Sequence, residues 1–88
     1  PAIVRDLSVK IDKNTNFTKL KEIASQNIKN LKNIQILDIY FDASQQTLVN
    51  LTLRLEFQSE IETLRTEVIE FEVTKIIENL KSNFEIEI

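Results

Sequence analysis

Apolar residues recur along the chain with two different periods. Over residues 3–11 (IVRDLSVKI), Leu7, Val9 and Ile11 alternate with Asp6, Ser8 and Lys10, the two-residue period of a strand buried on one side. Polar residues Asp12 to Thr15 break that pattern. Phe17, Leu20, Ile23, Ala24, Ile28 and Leu31 then follow at three- and four-residue spacing, which predicts an amphipathic helix with Asn16 or Thr18 as its N-cap. Residues 33–42 (NIQILDIYFD) are β-branched and aromatic and predict a second strand. Within it Ile34 and Ile36 share one parity, whereas Leu37, Ile39 and Phe41 share the other, so a β-bulge is expected near Ile36–Leu37. After a polar ASQQ turn, residues 47–57 alternate most regularly, with Val49, Leu51, Leu53, Leu55 and Phe57 against Leu48, Asn50, Thr52, Arg54 and Glu56. Ser59 to Arg65 connects to a second helix over 66–81, which carries Ile69, Val73, Ile76, Ile77 and Leu80 and has Thr66 as its expected N-cap. Phe84, Ile86 and Ile88 alternate as a last short strand.

The order β-α-β-β-α-β implies an α+β, ferredoxin-like βαββαβ fold over residues 1–88, read as one domain. Right-handed crossovers then put both helices on one face of a four-stranded antiparallel sheet. The other face is open, and parity assigns Asp6, Ser8 and Lys10, Asp38 and Tyr40, and Asn50, Thr52 and Arg54 to it. Phe17 and Phe57 are expected in the core, and Leu48 at an exposed edge. The chain has no glycine, so turns that need positive φ must use other residues; Asn33, Asp42 and Asn83 are the candidates.

Composition removes most chemistry. With neither cysteine nor histidine, there can be no disulfide, no thiolate nucleophile, no Cys/His zinc site and no Ser-His-Asp triad. Without glycine there is no phosphate-cradling GxGxxG or Walker-type loop. A complete enzyme is therefore not expected. The net charge of −3 is unevenly spread: residues 1–44 carry seven basic and five acidic side chains, residues 45–88 four and nine. Glu60, Glu62, Glu67, Glu70, Glu72 and Glu78 read as a solvated helix face rather than a metal site. An acidic chain binds nucleic acid poorly in general, so any RNA contact must be local. No apolar run approaches the length of a membrane span. The chain opens on Pro1 and reads as a fragment of a longer cytoplasmic protein, with no membrane or DNA partner expected.

Several pieces in order, PAIVRDLSVKID, LDIY, LRLEFQS and TLRTEV, resemble the C-terminal ferredoxin-like anticodon-binding domain of the bacterial-type phenylalanyl-tRNA synthetase β subunit. The positions that carry the likeness are Pro1, Arg5, Asp6, Leu7 and Ser8; Asp38 and Tyr40; Phe57 and Gln58; and Thr63, Leu64 and Glu67. The resemblance implies a non-catalytic module that grips the tRNA(Phe) anticodon. The larger subunit would join an α subunit in an (αβ)₂ enzyme that uses ATP and Mg²⁺ to attach phenylalanine to tRNA. By motif position Ser8 would line the base pocket, Asp38 would accept from the base edge and Tyr40 would stack on the ring. Asn50 stands where that family usually has serine. Guanine offers N1–H and N2–H₂ together, and a carboxylate can accept both.

Plainer readings stand beside these. Tyr40 is also what an edge aromatic covering a sheet looks like, and Asp38 could pair with Lys10 or Arg54 as a surface salt bridge. Arg5 and Asp6 read as a structural pair at the strand entry. Lys10 and Arg54 would attract phosphate if RNA binds and otherwise serve solubility. The alternative for the whole chain is a non-catalytic regulatory or dimerisation module of the same topology.

Overall fold

The computed structural model describes all 88 residues and contains five elements: β1 (Ile3–Asp12), α1 (Phe17–Ala24), β2 (Leu31–Phe41), β3 (Leu48–Phe57) and α2 (Thr66–Asn83). The sheet is antiparallel with the order β1-β3-β2, and β3, the most regularly alternating segment, is its centre. Leu7, Val9 and Ile11 of β1, Ile34 of β2 and the odd-numbered residues Val49 to Phe57 of β3 project to one side. There they meet Leu20, Ala24 and Ile28 and the α2 residues Ile69, Ile76 and Leu80 in one cluster of fifteen buried side chains. Phe57 lies in the core as its parity requires, while Phe17 and Leu48 are half-buried.

The sheet has three strands, not four. After α2, Phe84 still donates its N–H to the Leu80 carbonyl, so only the last few residues can reach β1. Among them Lys10 and Glu87 exchange both backbone bonds, at 2.7 and 3.0 Å, as an isolated bridge. Phe84 and Ile86 pack partly against the core. Apolar contact rather than a hydrogen-bonded ladder holds this segment down.

The first helix also stops early, at Ala24 rather than near Leu31. Asn16 caps its start by accepting from the Lys19 N–H at 3.1 Å. At its end Ser25 Oγ donates to the Lys21 carbonyl at 2.6 Å, and Asn27 turns the chain with φ of 60°. Asn27 is the only residue with positive φ, so Asn33, Asp42 and Asn83 do not have that role. Each has another structural solution. Asn33 lies within β2 opposite Glu56, and Asn83 is the last helical residue, donating to the Asn79 carbonyl. Asp42 Oδ1 accepts from the Ser44 N–H and Oγ, an Asx-turn that closes the hairpin without a left-handed residue. α2 starts with Arg65, not Thr66, at the cap position, and no side chain caps it.

Helix α2 fastens the turn that α1 leaves behind. Asn79 Nδ2 donates to the Ala24 and Gln26 carbonyls at 3.2 and 2.9 Å, and Lys75 Nζ to the Asn27 carbonyl at 2.8 Å. Glu72 is 5% exposed and does not belong to the solvated acidic face expected of it. Its carboxylate accepts from the Asn30 backbone N–H at 3.1 Å and from Asn30 Nδ2 at 2.8 Å, which anchors the entry to β2. Glu72→Ala leaves both donors buried without a partner and is expected to lower stability by about 1–3 kcal/mol. Glu70→Ala removes only an exposed ion pair with Arg5 and is expected to cost at most about 1 kcal/mol. Urea denaturation of the two variants measures the difference.

Candidate nucleic-acid interface

The face of the sheet away from the helices is organised in rows by strand register. Lys10, Asn50 and Tyr40 form one row; Ser8, Thr52 and Asp38 the next; then Asp6, Arg54 and Gln35; and finally Val4, Glu56 and Asn33. Adjacent members of a row lie one strand spacing apart, about 4.8 Å. Five of the six expected contact residues, Ser8, Lys10, Asp38, Tyr40 and Asn50, thus fall in the two neighbouring rows at one end. Arg54 falls in the third.

The position of Asp38 and Tyr40 depends on a bulge. Ile36 opposes Leu53 and Asp38 opposes Thr52, so Leu37 is an extra residue between them. Ile34 and Ile36 point to the core before the bulge, and Asp38 and Tyr40 point away from it afterwards. In an unbulged strand these four even-numbered residues would share one face. The Ile36–Leu37 irregularity expected from parity is therefore what brings the acid and the phenol to the open side.

Tyr40 is 58% exposed, and Asp38 is exposed beside it. Neither side chain takes part in an intramolecular hydrogen bond or ion pair, and Asp38 pairs with neither Lys10 nor Arg54. Arg54 instead grips Asp6, directly opposite in register, through Nε–Oδ1 at 2.9 Å and Nη2–Oδ2 at 3.0 Å. The expected Arg5–Asp6 pair does not form, because neighbouring strand residues face opposite sides. Arg5 reaches Glu70 on α2 at 3.3 Å. Ser8 Oγ and Thr52 Oγ1 lie 3.3 Å apart and share a hydrogen bond.

Four residues of these rows were not assigned to the open face from sequence: Gln35, Asn33, Glu56 and Val4. Alternation with Ile34 and Ile36 was sufficient signal for Gln35. With Glu56 and the terminal Asp12 of β1 included, the strands present four carboxylates on this face, Asp6, Asp12, Asp38 and Glu56, against two cations, Lys10 and Arg54. Such a surface suits a ligand that presents N–H donors and a flat ring more than one that presents phosphate alone. No three His, Cys, Asp or Glu side chains gather as a metal site. No helix is long and apolar enough to cross a membrane.

Comparison with known proteins gives a consistent picture. The family described as "Ferredoxin-fold anticodon binding domain" matches residues 1–88. A phenylalanine–tRNA ligase β subunit from Francisella tularensis is 34% identical over 88 residues, 99% of this chain and 11% of that protein. The β subunit from Wolinella succinogenes is 37% identical over 86 residues, 96% of this chain and 11% of the relative. A chloroplastic β subunit from Phaeodactylum tricornutum is 37% identical over 92 residues, covering 100% and 12%. The chain thus spans about a ninth of the length of these relatives.

The Asp6–Arg54 pair makes a prediction independent of any ligand. The hydrogen bond from Arg54 holds the Asp6 carboxyl below its ordinary 3.8, and the same bond raises the guanidinium further above the usual arginine range. Because the folded value of Asp6 is the lower one, the pair's contribution is full above pH 3.8 and is lost as pH falls through the depressed value. Carboxyl ¹³C titration is expected to show Asp6 ionising below 3.8 and returning upward in Arg54→Ala.

Proposed function

Because the chain belongs to the ferredoxin-fold anticodon binding domain family, we propose that it is the anticodon-recognition module of a phenylalanine–tRNA ligase β subunit, with tRNA(Phe) as its ligand. The observation that carries this reading is the pairing of Asp38 and Tyr40, adjacent on an open sheet face and free of intramolecular partners. An exposed phenol ring is a stacking platform for an unpaired base, worth about 1–3 kcal/mol. Asp38 accepts N1–H and N2–H₂ from the Watson–Crick edge of guanine, the first anticodon base. The neutral hydroxyls of Ser8 and Thr52 complete the row, and Asn50 sits between Tyr40 and Lys10 with an amide that can donate or accept. Lys10 supplies phosphate attraction. Arg54 supplies it less freely, since Asp6 already occupies its guanidinium.

In this reading the 88 residues perform no chemistry. The parent β subunit works in the cytoplasm with an α subunit in an (αβ)₂ enzyme, and ATP and Mg²⁺ are handled elsewhere in that assembly. These residues do not fit either group: they have no glycine loop and no gathered carboxylates. The contribution of the domain is differential affinity for one tRNA, so its loss appears as weaker capture of the correct tRNA rather than a slower chemical step.

In the complete synthetase, Tyr40→Ala is expected to lower kcat/KM for tRNA(Phe) about fivefold to a hundredfold, mostly through KM. Inosine in place of the first anticodon guanine removes N2–H₂ and is expected to weaken the unaltered enzyme but not Asp38→Ala. Aminoacylation unchanged in both protein variants would refute the reading.

A further inference from the structure

A second aromatic stands next to Tyr40, and the function proposed above leaves it unused. Phe41, the last residue of β2, is 69% exposed. It opposes Val49 on the helix side of the sheet, but it lies at the far end of an edge strand, where the core cluster does not include it. Its ring forms part of the wall of a hollow of about 620 Å³ shared with Lys13, Asp42, Ala43, Gln45, Gln46 and Leu48.

The hollow is held in shape from both sides. The Lys13 N–H donates to the Thr47 carbonyl at 2.9 Å, which ties the turn after β1 to the hairpin. Within the hairpin, Gln45 N–H donates to the Asp42 carbonyl at 2.9 Å while Ser44 binds the Asp42 carboxylate. The Lys13 ammonium has no carboxylate partner; the ion pairs of the molecule use its three arginines and none of its lysines. The one acid lining the hollow, Asp42, is engaged by Ser44, and two glutamine amides offer donors and acceptors.

We propose that Phe41 and Lys13 form a second nucleotide position, which takes the unpaired RNA residue adjacent to the one held on Tyr40. The inference rests on the anticodon-binding reading. Tyr40 and Phe41 are consecutive, with Cα atoms about 3.8 Å apart, and face opposite sides of β2. The outer edge of β2 pairs with no other strand. An RNA strand that turns round this edge places successive bases on the two rings, with Lys13 beside the phosphate of the second. Stacking is tolerant of base identity, so this position adds affinity without reading sequence. It also supplies, beside the acid-rich sheet face, a second cation without a carboxylate partner, in addition to Lys10.

The test uses the intact synthetase and anticodon stem-loop RNA, with affinity measured across a salt series. Phe41→Ala is expected to weaken binding about fivefold to a hundredfold while the penalty for inosine at the first anticodon position stays as in the unaltered enzyme. Lys13→Gln is expected to flatten the log–log salt dependence by about 0.7, the worth of one single-strand phosphate contact. An abasic residue next to the Tyr40-bound base should cost the unaltered enzyme as much as Phe41→Ala does, and should cost the Phe41→Ala enzyme nothing further. Unaltered affinity in both variants, or losses from Phe41→Ala and the abasic residue that simply add, would overturn the second position. In that case a surviving inosine penalty leaves the Tyr40 and Asp38 reading intact. Loss of that penalty in the unaltered enzyme overturns both.

Discussion

One extra residue in an edge strand governs what this molecule can present. Strand side chains alternate, so a β2 without Leu37 as a bulge would send Ile34, Ile36, Asp38 and Tyr40 to the same side. Either two isoleucines would face water or an acid and a phenol would enter the core. The bulge lets the first half of the strand serve packing while the second half sets an acid and a phenol on the exposed face. It also lets one continuous strand pair with β3, whose own alternation is unbroken from Leu48 to Phe57. The regular strand fixes the frame, and the irregular one adapts to it.

Charge is divided in a similar way. All three arginines are committed to carboxylates within the molecule: Arg5 to Glu70, Arg54 to Asp6 and Arg65 to Glu67. The sheet face is left rich in acceptors and poor in free cations. Such a charge distribution is the reverse of what a non-specific binder of the phosphate backbone presents. Under the proposed function, an acidic domain with a local grip would need the remainder of its tRNA surface from elsewhere, and the relatives are about nine times its length.

Much of this was legible in the residues because alternation is a local signal. The cores of β1 and β3, the α2 stripe through Ile69, Ile76 and Leu80, and the Leu37 bulge all follow from spacing alone. What escaped depends on distant partners. Glu72 looks like any glutamate on a charged helix, and only the donors of Asn30, 42 positions away, explain its burial. The early end of α1 depends on Lys75 and Asn79 of the second helix accommodating the turn at Asn27. The last strand was overcounted for the same reason: Phe84, Ile86 and Ile88 have strand parity, but pairing needs backbone partners as well as alternation. On the exposed face, parity was enough to place Asp38 and Tyr40. It could not show that Arg54 belongs to Asp6, because that choice is made by register across strands.

If Asp38 and Tyr40, set together on the free face by the Leu37 bulge, hold one base between them, both groups must respond to RNA together. Side-chain NMR of the isotope-labelled protein during titration with an anticodon stem-loop observes both groups at once. The Tyr40 ring protons are expected to move upfield and the Asp38 carboxyl carbon to shift with the same saturation curve. RNA that binds while both signals stay in place would contradict that expectation.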